Sequence, residues 1–145
     1  MIDYAKALQE GFEAAQKANL ARKEIKAVLE KFRDDILAGS GGKLLIEIKQ
    51  FEEKVSPLDI MKRGALAQFE REVYFAITAS NPTVEKPLYK ELARWKQSRD
   101  GYPCSLIVNR QESQLEDRTA LELGLAELLR DPRVGEKLYA LVNQV

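Results

Sequence analysis

Residues able to do chemistry are scarce in this 145-residue chain, and each cluster of them has a plainer structural use. Histidine is absent. That removes the usual general base near neutral pH, the commonest metal ligand, and every Ser-His-Asp or Cys-His arrangement. Gly39-Ser40-Gly41-Gly42-Lys43 has the composition of a phosphate loop. No glycine lies five residues before Gly42, however, and Leu44 stands where Ser or Thr would hold magnesium. The run also follows a helix, whereas a phosphate loop opens one, so these glycines predict a helix cap. Glu47-Ile48-Lys49 matches the Glu-x-Lys of metal-dependent nucleases, which also need an aspartate on a neighbouring strand. The nearest aspartates, Asp34 and Asp35, fall at a helix end, and the solvated face of a strand explains the tripeptide better. Glu70 and Glu72 are about 7 Å apart on one face of a strand at ~3.4 Å per residue, a spacing that could hold a divalent ion. Their alternation with Phe69 and Val73 instead faces them to water, while Arg71 points the other way and needs a partner if buried. Cys104 follows Pro103 in an apolar strand and reads as a small buried residue. No catalytic residue, cofactor or metal is therefore assigned, and a nuclease or hydrolase ranks last among the functions.

Two non-catalytic patterns are stronger. Lys86, Lys90, Arg94, Lys96 and Arg99 surround Tyr89, Trp95 and Tyr102, a mixture that could neutralise phosphates and stack on bases. Trp95 shares a helical stripe with Leu88 and Leu92, which makes it a core residue and leaves the cations on a wet helix face. Nucleic-acid binding is thus the second choice. The other pattern runs through Tyr4, Leu8, Gly11, Ala15, Ala18, Arg22, Ile25, Leu29, Phe32 and Ile36, in alternating steps of three and four. This 3.5-residue repeat is that of a coiled-coil seam. Ala7, Ala14 and Ala21 line one edge, where a second helix could approach closely. The seam predicts self-association through Tyr4, Leu8, Ala15, Ala18, Ile25 and Leu29.

The elements that must position these residues follow from the same patterns. Residues 3–38 form one helix, about 50 Å long at ~1.5 Å per residue, against roughly 40 Å for a compact domain of this length. It must overhang, pack on another subunit, or kink at Gly11 or Asn19. Residues 43–54 fit both an alternating strand and a helical spacing through Leu44, Ile48, Phe51 and Val55. The glycines before them and the pair of β-branched residues favour a strand. Ser56-Pro57 opens a short helix or turn. Phe69 to Ile77 alternate as a half-buried strand that stops at Ser80-Asn81-Pro82, and a helix carries Leu88, Leu92 and Trp95. Cys104 to Val108 turn back through Asn109-Arg110-Gln111 into a weaker strand ending near Glu116. Thr119 with Glu122 caps a helix, and Asp131-Pro132 starts the last one. The expected fold is α+β: a long N-terminal helix, a mainly antiparallel sheet of about four strands, and two C-terminal helices. Without linker, repeat or low-complexity run, residues 1–145 make one domain.

Composition narrows the setting. A hydrophobic share of 45% with 32% charged residues is that of a globular protein. The 23 basic and 23 acidic residues cancel, so no global field draws in nucleic acid or anionic membrane. The lone cysteine, an N-terminus without a signal-peptide core, and no apolar stretch of membrane-spanning length lead to an expected cytoplasmic location and no membrane contact. Trp95-Lys96-Gln97, Gly101-Tyr102-Pro103-Cys104, the following hairpin, Leu121-Glu122, Leu128-Leu129, Asp131-Pro132 and Val134-Gly135 resemble the C-terminal part of small uncharacterised proteins encoded in bacterial prophages. That resemblance covers about a third of the chain and implies a phage or prophage accessory protein, without a site. The leading expectation is a non-enzymatic interaction or assembly protein, a homo-oligomer through its first helix.

Overall fold

The structure, a computed structural model, describes residues 1–54, 56–64 and 71–145. Helix α1 (Tyr4–Gly39) leads into strand β1 (Leu45–Lys54), a short helix α2 (Pro57–Arg63), strands β2 (Arg71–Ser80), β3 (Tyr89–Ser98), β4 (Gly101–Val108) and β5 (Gln111–Leu115), and helices α3 (Arg118–Arg130) and α4 (Pro132–Val142). The strands form one antiparallel sheet in the order β1-β2-β3-β4-β5. This is the expected α+β arrangement, with five strands in place of about four. Residues 43–54, which fitted both patterns, contain strand β1. Val55, Gln68, Phe69 and Glu70, used in reading the neighbouring segments, lie outside the described residues.

The fifth strand is β3, where the spacing of Leu88, Leu92 and Trp95 predicted a helix. Ile77 pairs with Ala93 but Thr78 pairs with Glu91, so Leu92 is an extra residue in the ladder. A β-bulge of this kind breaks the two-residue alternation. It lets Leu92, Ala93 and Trp95 all reach the core, imitating the three-residue step of a helix. The five cations assigned to a helix face therefore sit on or beside a strand.

Helix caps follow local chemistry. The Asp3 carboxylate accepts from Lys6 N at 3.1 Å and opens α1. At its other end Gly41 and Gly42 take positive φ, and Gly42 N donates to Leu37 O at 2.8 Å. Asp117, two residues before the predicted Thr119, caps α3 by accepting from Ala120 N. Thr119 lies inside the helix, past the capping position, and Glu122 pairs with Arg118 at 2.8 Å in place of the expected capping box. Asp131 closes α3 with its backbone N–H and opens α4 with its side chain, ahead of Pro132.

One face of the sheet carries the core. Ile46, Ile77, Trp95, Leu106 and Leu115 from the strands meet Ile25 and Val28 of α1, Leu121, Leu125 and Leu128 of α3, and Val134 and Leu141 of α4. Register places Lys49, Tyr74, Ala76, Arg94, Lys96, Ser105 and Ile107 on the other face, opposite in alternation to Trp95 and Leu106. Small residues there, Ala76, Thr78 and Ser105, are buried beneath the long and aromatic side chains beside them.

Candidate functional site

Helix α1 docks only by its C-terminal half. Ile25 is 1% exposed and Val28 is buried, with Leu29, Phe32 and Ile36 packed against the same core. The contact reaches its N-terminal limit at the β3–β4 turn. There a Cβ on Gly101 (φ +103) would lie 2.6 Å from the Ala21 Cβ, so only glycine lets the helix come this close. Arg22 Nη1 donates to Arg99 O at 2.7 Å, and the Tyr102 hydroxyl donates to Glu24 Oε1 at 2.7 Å. Burial, reinforced by that hydrogen bond, pushes the Tyr102 phenol above its ordinary pKa. Of the alanine edge read in the sequence, Ala21 is thus matched to glycine within the same chain.

Beyond that clasp the helix continues unsupported. Residues 1–17 are exposed throughout, a projection of roughly 20 Å from Tyr4 to Lys17 at ~1.5 Å per residue. Tyr4 is 76% exposed, Leu8 58% and Phe12 55%, all on this free stretch. Gly11 and Asn19, the candidate kinks, lie within one uninterrupted helix. A 3.5-residue repeat drifts ~20° per heptad on a straight helix. Three heptads separate Tyr4 from Ile25, so the seam turns through roughly 60° between the free and docked halves. The six seam residues consequently divide. Ile25 lies inside the chain's own core and Leu29 packs on it, while Tyr4, Leu8 and Ala15 are open and Ala18 is half-covered. Between the two groups, Ala14, Ala15 and Ala18 face Tyr102 and Pro103 across a groove.

A second feature lies at the step in the sheet beside β3, between the face away from α1 and the start of α4. Strand β4 ends at Val108, just past the pairing of Arg94 with Ile107, so the first half of β3 has no strand on that side. A hollow of about 800 Å³ spans this step, lined among others by Tyr74, Arg94, Lys96, Arg110, Arg133 and Lys137, with Glu91 the one acid. Arg94 Nη2 donates to Glu53 Oε2 at 3.1 Å and its guanidinium lies 4.0 Å from the Tyr74 ring centre, which stacks in turn on Phe51. Lys96 Nζ is 3.8 Å from Glu112 Oε1, and Lys137 Nζ donates to Glu91 O at 2.8 Å. The predicted cationic group is therefore split. Arg94 and Lys96 reach the hollow, Lys86 and Lys90 lie near the opposite end of β3, and Arg99 sits in the turn that holds Arg22. Arg110 and Arg133 were missed, since nothing local marks the β4–β5 turn and the start of α4 as neighbours.

The chemical candidates are placed as follows. Glu47 and Lys49 are half-buried on the sheet face away from α1, with Lys49 Nζ 3.2 Å from the Tyr89 ring centre. Glu72 is exposed. Among the described residues, no three Cys, Asp or Glu side chains converge as a metal site. Cys104 is fully buried, and burial pushes its thiol up to about 11. Among the described residues, no helix is long and apolar enough to cross a membrane. Compared with known proteins, the chain matches no family model, no curated protein and no solved structure.

Proposed function

We propose that this protein is a non-enzymatic assembly protein that associates with a second copy of itself through the free half of α1, as a phage or prophage accessory factor. One observation carries the reading: Tyr4, Leu8 and Phe12 stand exposed on a helical projection whose residues, 1–17, are exposed throughout. Isolated helices shorter than about 12–15 residues are marginal in water. Pairing two projections covers these side chains and supports both helices, at roughly 25 cal/mol per Å² of apolar surface removed from water. Ala15 and Gly11, beside Leu8 on the same seam, leave room for a close approach.

Sedimentation velocity of wild type and of the double variant Leu8→Glu/Phe12→Glu tests the reading. Wild type sediments as a dimer or larger species and the variant as a monomer with an unchanged far-UV spectrum of its folded domain. Equal sedimentation of the two proteins refutes the assignment to this stretch of helix.

A further inference from the structure

We propose that the hollow beside β3 is a binding site for phosphate groups, as carried by a nucleotide or by a short single strand of nucleic acid. Two arginines at its rim stand where local structure disfavours them. Arg110 has φ +66 in the two-residue β4–β5 turn, after Asn109 at φ +52. Such a turn favours glycine at its second position, and an L-residue with a bulky side chain is strained there. Arg133 lies in the first turn of α4, where a cation opposes the helix dipole and where the N-cap carboxylate of Asp131 is the acid beside it. The backbone N–H of Arg133 donates to Asp131 Oδ1 at 2.8 Å, but among the described residues neither guanidinium has a hydrogen bond or ion pair. Both nevertheless line the same hollow. Positions held against local preference concentrate where a ligand supplies the missing interaction.

Charge fixes the class of ligand. Five cations and one acid, Glu91, line the hollow; Glu53 and Glu112 offset Arg94 and Lys96, and the Asp131 carboxylate stands beside Arg133, leaving Arg110 without an acid of its own among the described residues. The remaining cationic surplus suits an anionic group such as phosphate. A volume of about 800 Å³ is within the range of small-molecule sites, roughly 300–1,000 Å³. Guanidinium groups suit the task, since each presents paired donors to phosphate oxygens. Arg94, held by Glu53 and Tyr74, supplies a preoriented donor at the floor. No residue of α1 lines this site, which does not depend on self-association.

Fluorescence anisotropy of a labelled oligothymidylate, with unlabelled adenosine monophosphate and triphosphate as competitors, tests the proposal on the full chain. Wild type should bind the oligonucleotide, the free nucleotides, or both, with affinity falling as salt rises from about 50 to 200 mM. Efficient competition by free nucleotide assigns the site to a small ligand, and its absence assigns it to a strand. Arg110→Gly and Arg133→Gln should each weaken binding roughly tenfold and lower the salt slope by about one. Arg99→Gln, outside the hollow, should leave binding unchanged. Arg110→Gly keeps the result interpretable, because glycine suits this turn and the variant should melt no lower than wild type. No binding of either probe overturns the proposal, and so does wild-type binding by both hollow variants.

Discussion

Replacing Ile25 by alanine tests the division of the α1 seam most sharply from the side of stability. Ile25 is 1% exposed and contacts a core drawn from the sheet, α1, α3 and α4. Truncation of an enclosed isoleucine to alanine costs about 2–5 kcal/mol, through lost burial and the cavity left behind. Rigid elements surround Ile25 on several sides, so the site cannot collapse freely and the upper half of that range is expected. Against a total domain stability of about 5–15 kcal/mol, the loss is large. At roughly 2–4 °C per kcal/mol for a chain of this size, it lowers Tm by about 7–20 °C. Urea unfolding followed by circular dichroism at several protein concentrations measures it, with Leu8→Ala in parallel. Leu8 is 58% exposed and lies outside the core, so its truncation should move domain stability by less than about 0.5 kcal/mol at concentrations where the chain is dissociated. A loss below about 1 kcal/mol for Ile25→Ala would refute the docking of α1 and return the entire seam to intermolecular pairing.

Other consequences can be measured with the same material. Gly101→Ala places a Cβ 2.6 Å from that of Ala21 in a left-handed backbone conformation, and should cost about 2–4 kcal/mol from strain and displacement of α1. Ala21→Gly in the same chain should recover part of that loss by removing the opposing methyl, and a cost under about 0.5 kcal/mol would contradict the close approach. Alkaline pH should also weaken the fold. Cys104 has its folded pKa raised from 9.0 to about 11 by burial, so the folded state retains the proton longer than the unfolded chain. Its contribution is complete below pH 9 and is lost as pH rises towards 11, by an amount on the order of 2–3 kcal/mol. Tyr102, raised by burial and by its bond to Glu24, adds to the loss at still higher pH. Urea midpoints between pH 7 and 10.5 follow this, and a flat profile in the Cys104→Ala variant up to pH 10 would confirm the thiol as the source. Undiminished wild-type stability at pH 10.5 would contradict it.

Much of the architecture was legible because it is local. The heptad spacing marks α1, the glycines at 41 and 42 its end, the β4–β5 hairpin shows in its alternation, and Asp131-Pro132 opens α4. What the pattern concealed depends on distant residues. The bulge at Leu92 belongs to the pairing with β2, and without that ladder the steps from Leu88 to Trp95 imitate a helix. Periodicity also cannot say which side of a long helix its own domain covers. Here the drift of a 3.5-residue repeat on a straight helix separates Ile25 from Tyr4 and Leu8. The candidate hollow was invisible for a similar reason. Arg110 and Arg133 come together only when the sheet places a hairpin tip beside the start of a helix, and neither belongs to the cationic run from Lys86 to Arg99 that the sequence displays.

The most direct test is the molar mass of the wild-type chain in solution. Multi-angle light scattering across a dilution series beginning at tens of micromolar should give twice the 16.5 kDa chain mass or more, declining towards one chain on dilution. A mass of one chain at the highest concentration would contradict self-association through the projecting helix and leave Tyr4, Leu8 and Phe12 without the partner proposed for them.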